Sequence, residues 1–124
     1  MNEPPIATSE ISSSLAMHWR MLLATVESLG TISAGELLTL VTITWLHRAE
    51  VQSTVSQLSK LIELPKSSVS RYVSTYIAAG LVTEYIDPKD RRRRYICLTS
   101  EGRKSMVRLE KRSSELALLT DKKL

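Results

Sequence analysis

A single cysteine, Cys97, in 124 residues excludes an internal disulfide framework and points to a reducing compartment. The only two histidines, His18 and His47, lie far apart, so no cluster of side chains suggests a transition-metal site. Four glycines form no loop that could cradle phosphates, and Ser67, Ser68 and Ser70 have no histidine nearby to activate a nucleophile. The expectation is a chain that is not an enzyme and carries no metal or cofactor. With no phenylalanine, two tryptophans and four tyrosines, a base-stacking platform for single strands is not expected. The longest apolar-looking run, Leu37 to Leu46, is about half a membrane span and is broken by threonines, so no membrane partner is expected. The opening Met-Asn-Glu-Pro-Pro lacks the basic and apolar character of a secretory signal, which makes the cytoplasm the expected location.

What is present is ordinary globular composition, 43% hydrophobic and 24% charged, at a length near the commonest domain size. The net charge of +4 is unevenly placed. Residues 1–59 hold two arginines against five glutamates, a net −3, whereas residues 60–112 hold thirteen Lys and Arg against six acids, a net +7. The last twelve residues are balanced. A basic face on part of a small domain is the footprint of a polyanion binder, although a solvated surface gives the same asymmetry.

The pattern reads as helices, a hairpin and a final helix. Residues 1–10 are expected as a flexible tail. From about Ile11 to Leu29, Leu15, Trp19, Leu22, Leu23, Val26 and Leu29 recur at helical spacing, with Gly30 as the stop. Ser33 and Glu36 fit a capping box that starts a second helix, apolar on most sides and therefore expected to be buried, running to about His47. Thr54 and Gln57 fit another box, starting a short helix with Leu58, Leu61 and Ile62. Pro65 suits the first turn of the next helix and Gly80 its end, with Val69, Val73 and Ile77 as the apolar stripe and Tyr72 and Tyr76 at its flanks. Leu81 to Ile86 and Tyr95 to Leu98 are rich in β-formers and flank a polar loop, which predicts a hairpin. Thr99 or Ser100 caps a last helix to about Leu119, with Met106, Val107, Leu109, Leu116 and Leu119 apolar; 120–124 is expected as a tail.

Residues 54–80 thus read helix, tight turn, helix. The second helix carries Lys66, Ser67, Ser70, Arg71 and Ser74 opposite its apolar stripe. Small hydroxyls and a cation at a helix start suit entry into a major groove, where arginine takes guanine bidentately; taken alone, they fit an ordinary surface helix equally well. The run Arg91 to Arg94 tips the balance, because a narrow minor groove attracts such side chains. Side chains alternate across a strand, so some of the four arginines must instead pair with Asp87, Asp90 or Glu84.

The stretch from Leu58 to Arg103 resembles the MarR family of winged-helix transcriptional regulators. The most specific part is Asp87-Pro88-Lys89-Asp90-Arg91-Arg92, four residues, then Leu98-Thr99-Ser100-Glu101-Gly102-Arg103. The family's wing reads Asp-Pro-x-Asp-Arg-Arg, a strand, then Leu-Thr-x-x-Gly-Arg. Lys66-Ser67-Ser68-Val69-Ser70-Arg71 resembles the opening of the recognition helix, and Gly80-Leu81-Val82 the Gly-Leu-Val before the wing. The chain departs from the pattern at Glu63, where glycine is common, and in a C-terminal end that is short for the family.

The resemblance implies a mainly α chain with a small β-hairpin wing, a winged helix-turn-helix that is dimeric through its N- and C-terminal helices. Residues 11–119 would form one domain, with 32–99 as the winged core and 11–29 and 101–119 as dimerisation helices. It implies a homodimer on a pseudo-palindromic duplex, a regulator that usually represses. Carried over residue by residue, Lys66, Ser67, Ser68, Ser70 and Arg71 would face the major groove or its phosphates, and Arg92 would enter the minor groove. Asp90 would orient the wing's arginines. Lys89, Arg91, Arg93 and Arg94 would touch phosphates or pair internally, in an order the pattern leaves open. Leu15, Trp19, Leu22, Leu23, Leu109, Leu116 and Leu119, with Leu118, would be dimer contacts. Many relatives release DNA on binding a small-molecule effector; Met17, Trp19, Met21 and Trp45 either line such a pocket or serve as core. Cys97, between two inward positions, reads as structural. The rival classes are a winged helix used for protein contact and an architectural DNA binder without sequence preference.

Overall fold

A computed structural model describes Glu3 and residues 13–123, the last four of these for backbone only. The elements are α1 (Ser13–Leu29), α2 (Ala34–Arg48), α3 (Val55–Ile62), α4 (Lys66–Ala78), β1 (Val82–Ile86), β2 (Arg94–Leu98) and α5 (Ser100–Lys123). The expected tail at 1–10, Glu3 apart, lies outside the described residues, as do positions 11 and 12 of the first helix. No single helix among the described residues is long and apolar enough to cross a membrane. The expected single domain divides into two compact units, one of Ile32–Val107 and one of the chain up to Thr31 with Arg108 onward.

Both expected capping boxes form. Ser33 Oγ accepts from Glu36 N at 3.1 Å while Glu36 Oε1 accepts from Ser33 N at 3.4 Å. Thr54 and Gln57 do the same for α3, at 3.2 and 2.9 Å. Gly30 and Gly80 follow α1 and α4 at φ +80° and +78°, the left-handed conformation that lets a helix end turn back on itself. Pro65 stands one residue earlier than expected, as the N-cap of α4. Glu63 takes the left-handed position at the turn between α3 and α4, at φ 56° and ψ 40°, so the helix-turn-helix keeps a glycine-type turn with a glutamate in it. Ser59 Oγ closes that turn by donating to Leu64 O at 2.6 Å.

In the Ile32–Val107 unit, α2, α3 and α4 pack on one another and on the hairpin. Leu40, Ile43, Leu58, Val69, Val73, Tyr76, Val82, Ile96 and Leu98 are buried. Of the expected stripe on α4, Val69 and Val73 are buried but Ile77 is half-buried, and Tyr76 takes the core place. Its ring fits because its hydroxyl donates to Glu36 O at 2.7 Å, so burial leaves no polar group unsatisfied. Burial, and to a lesser degree the Glu36 carboxylate, push the Tyr76 phenol up to about 12. α2 is less enclosed than its composition predicts, since Leu38, Val41 and Trp45 are exposed.

β1 and β2 pair antiparallel, Val82 with Leu98 through Ile86 with Arg94. Ser53 adds a short bridge that the sequence did not announce, its carbonyl accepting from Ile96 N at 2.7 Å. Thr99 joins helix, wing and helix: Oγ1 donates to Gly80 O at 2.6 Å and accepts from Gly102 N at 2.9 Å, and its amide donates to Leu81 O. Gly102 lies so close to Leu81 that a Cβ there would fall on the Leu81 carbonyl.

In the other unit, Ala24, Leu109 and Leu116 form a core that Met21, Leu23 and Leu29 flank. Arg112 ties α5 to α1, its Nε and Nη2 donating to the two carboxylate oxygens of Glu27 at 2.7 and 3.4 Å. That guanidinium, chiefly through its hydrogen bond, holds the Glu27 carboxyl below its usual range. Val107 and Leu119, expected as apolar packing positions, are exposed, and α5 continues to Lys123 where a tail from 120 was expected.

Candidate nucleic-acid interface

α4 presents its polar side by geometry. With Val69, Val73 and Tyr76 buried, the 3.6-residue period turns Lys66, Ser67, Ser70 and Arg71 to solvent and leaves Ser68 half-buried. The Arg71 guanidinium stands over the Tyr72 ring, 5.4 Å from its centroid. No side chain caps the start of α4.

The wing orders its arginines by charge. Asp90 Oδ1 accepts from the Arg92 backbone amide at 3.1 Å and from its Nε at 3.2 Å, and Oδ2 from its Nη2 at 3.5 Å. Arg93 Nε lies 3.9 Å from Asp90 Oδ2. Arg94 Nη1 donates to Glu84 Oε2 at 3.2 Å. Hydrogen bonding to the Arg92 side chain and then to its amide, with the nearby Arg93 charge, holds the Asp90 carboxyl below the usual range. The Tyr95 hydroxyl, and then Asp90, raise the Arg93 guanidinium further above its ordinary value. Two backbone bonds close the loop, Arg93 N to Asp90 O at 2.9 Å and Asp87 N to Arg93 O at 3.0 Å. Arg92 is anchored at one edge only and keeps 92% of its side chain in solvent.

Helix and wing face one cleft of about 580 Å³. Lys66 and Ser70 line it from α4, Arg92, Arg93 and Arg94 from the wing, and Thr54 and Gln57 from the start of α3. Of the residues read from the sequence as groove or phosphate contacts, these five from α4 and the wing come together; Ser67, Arg71, Lys89 and Arg91 are exposed outside the cleft, and Ser68 is half-buried. Among the described residues neither Lys89 nor Arg91 pairs with a carboxylate. Sequence reasoning missed Thr54, Gln57 and Tyr95 as lining residues. The capping box marked the first two as helix-starting groups, and nothing in a local pattern says that such groups also face an arginine wing.

The expected dimer contacts fall into two sets. Leu15, Trp19, Leu22 and Leu119 are exposed, at 54%, 49%, 39% and 47%, as is Leu118, and Leu23 is half-buried. Leu109 and Leu116 are at 1% and 6%, enclosed by their own chain. Among the described residues no group of three or more His, Cys, Asp or Glu could hold a metal ion.

Residues 39–93 match the family model described as the MarR family. Among solved structures, RV1404 from Mycobacterium tuberculosis is similar with a TM-score of 0.73 at 16% identity, over 100% of this chain and 86% of that one. A mutant of MepR from S. aureus bound to an oligodeoxyribonucleotide gives 0.75 at 20%, over 97% and 86%. MepR bound to ethidium bromide gives 0.63 at 20%, over 94% and 86%. The transcriptional regulator Tm0710 from Thermotoga maritima gives 0.71 at 21%, over 87% and 74%. No curated protein matches the chain in sequence. At these identities the likeness to solved structures is one of fold.

Proposed function

From the match of residues 39–93 to the MarR family model we propose that this chain is a MarR-family, sequence-specific regulator of transcription, acting as a cytoplasmic homodimer that represses by occupying a pseudo-palindromic duplex. α4 enters the major groove, where Ser67, Ser68 and Ser70 permit close approach, Lys66 meets phosphate and Arg71 reads a base edge. Its uncapped N-terminus favours a phosphate as well. Arg92 enters the minor groove, with Asp90 fixing its guanidinium from behind. Lys89 and Arg91 take flanking phosphates, and Arg93 and Arg94 line the cleft between helix and wing. The chain supplies binding and positioning and no reaction step. Exposed Leu15, Trp19, Leu22 and Leu119 of α1 and α5 meet a second copy, because one small domain spans only one half-site.

The observation that carries this reading is the arginine that is both anchored and bare: Arg92 bonds Asp90 and keeps 92% of its side chain free. Arg92→Ala is expected to weaken binding to an inverted-repeat duplex at least tenfold with the fold intact, within the roughly 1–3 kcal/mol of a lost arginine contact. Arg71→Ala is expected to lose a similar amount and relax sequence preference. Unchanged affinity in both variants overturns the assignments. Retention of an acidic protein in place of DNA identifies a protein-contact module, and equal affinity for all duplexes an architectural binder. That MepR, similar in fold, binds ethidium bromide supports a small-molecule effector for this chain as well.

A further inference from the structure

The cleft holds one carboxylate among its cations. Lys66, Arg92, Arg93 and Arg94 line it, and Glu84 of β1 lines it with them. The pleat puts Glu84 there: Val82, Glu84 and Ile86 share a face with their partners Leu98, Ile96 and Arg94. At the inner end that face is core, since Val82, Ile96 and Leu98 are buried. Farther out it becomes Glu84 and Arg94, diagonal neighbours across the two strands. Arg94 Nη1 stands 3.2 Å from Glu84 Oε2, with 61% and 34% of the two side chains exposed. This pair is distinct from the Asp90 cluster, whose carboxylate does not line the cleft. Asp90 leaves 92% of the Arg92 side chain in solvent, whereas Glu84 holds Arg94 on the cleft surface, where a duplex phosphate would lie.

We propose that Glu84 is a built-in competitor with DNA for Arg94, and thereby a determinant of how strongly this face grips a duplex. The inference rests on the DNA reading above. A phosphate oxygen that takes Arg94 must displace the Glu84 carboxylate, which then stays beside it as a like charge. Arg94 therefore contributes less to the free chain's affinity than its charge implies, and the cleft's grip is held below what four cations would give.

The test is Glu84→Gln, which keeps the volume and an acceptor for Arg94 and removes the charge. Its binding to a mixed-sequence duplex and to the preferred duplex selected by the wild type is measured across a salt series, beside Arg94→Ala and the double variant. Circular dichroism and melting confirm the fold, and Glu84→Ala provides a second variant with the same expected direction. Glu84→Gln is expected to bind both duplexes roughly tenfold tighter at about 0.1 M salt, two subunits together. Its log affinity is expected to fall with log salt more steeply by about two, one further phosphate per subunit. In the Arg94→Ala background the gain disappears. A gain that survives there, an unchanged affinity, or a loss confined to the preferred duplex overturns the proposal; the last would make Glu84 a base reader. A wild type that retains no duplex at all removes the DNA reading itself, a different result from a wild type that binds while Glu84→Gln changes nothing.

Discussion

The recognition helix and the wing both present cations to one cleft, and they are held by different forces. α4 is fixed from behind: Val69, Val73 and Tyr76 are buried, the Tyr76 hydroxyl is bonded to α2, and Gly35 of α2 leaves room for the Tyr72 ring, whose nearest atoms would stand 3.1 Å from a Cβ there. The wing is packed only at its inner end, where Val82, Ile96 and Leu98 are buried. Four of the five residues of β1 are exposed, and its loop is ordered by Asp90, Glu84 and a few backbone bonds. Packing is indifferent to salt, whereas exposed ion pairs are screened within a Debye length of about 10 Å at 0.1 M. The helix therefore supplies a rigid reader, and the wing an electrostatic grip that can be tuned residue by residue.

The largest expected effect breaks the scaffold that joins the two. Gly102→Ala would ordinarily favour a helix by about 1 kcal/mol. Here the added methyl falls on the Leu81 carbonyl, so a loss of about 3 kcal/mol in denaturant unfolding is expected, the upper end of overpacking. A stabilised variant would show that helix α5 and the wing are not in close register.

Next comes the contrast within the wing. Asp90→Asn raises the charge by one per subunit, yet it releases the Arg92 guanidinium, so duplex affinity is expected to drop roughly tenfold. Global stability should stay nearly unchanged, since the pair is exposed. A rise in affinity would mean that Asp90 acts only as an anion. Acid does the same reversibly. The folded carboxyl lies below its unfolded value, so the pair is intact above the ordinary carboxylate range and is lost as pH falls through the lowered value.

On the helix side, Tyr76→Phe removes one buried hydrogen bond and is expected to destabilise by about 1 kcal/mol, read from chemical denaturation. Because the folded phenol is raised to about 12, its contribution is full below pH 10 and disappears between about 10 and 12. The variant should lose that part of the alkaline destabilisation. The smallest effect has the opposite sign. Glu63→Gly relieves a left-handed non-glycine residue and is expected to stabilise by up to about 1 kcal/mol.

Much of this architecture was legible because it rests on local chemistry. Ser33 with Glu36 and Thr54 with Gln57 announce helix starts, Gly30 and Gly80 announce ends, and the Asp-Pro-x-Asp-Arg-Arg run announces a wing whose arginines need carboxylates. What stayed hidden depends on long-range packing. Tyr76 is core because a carbonyl forty residues earlier accepts its hydroxyl. Leu109 and Leu116, spaced like interface leucines, are buried in a core shared with Ala24. The order of the wing's arginines follows from hairpin register, which puts Arg94 diagonal to Glu84, and a linear pattern does not contain that register.

A surface that grips a duplex through its phosphates must lose affinity as salt rises. With about four phosphates neutralised by each subunit, the log affinity of the dimer for an inverted-repeat duplex should fall with log salt at a slope near −7. A slope near zero would mean that the surface does not bind through phosphates.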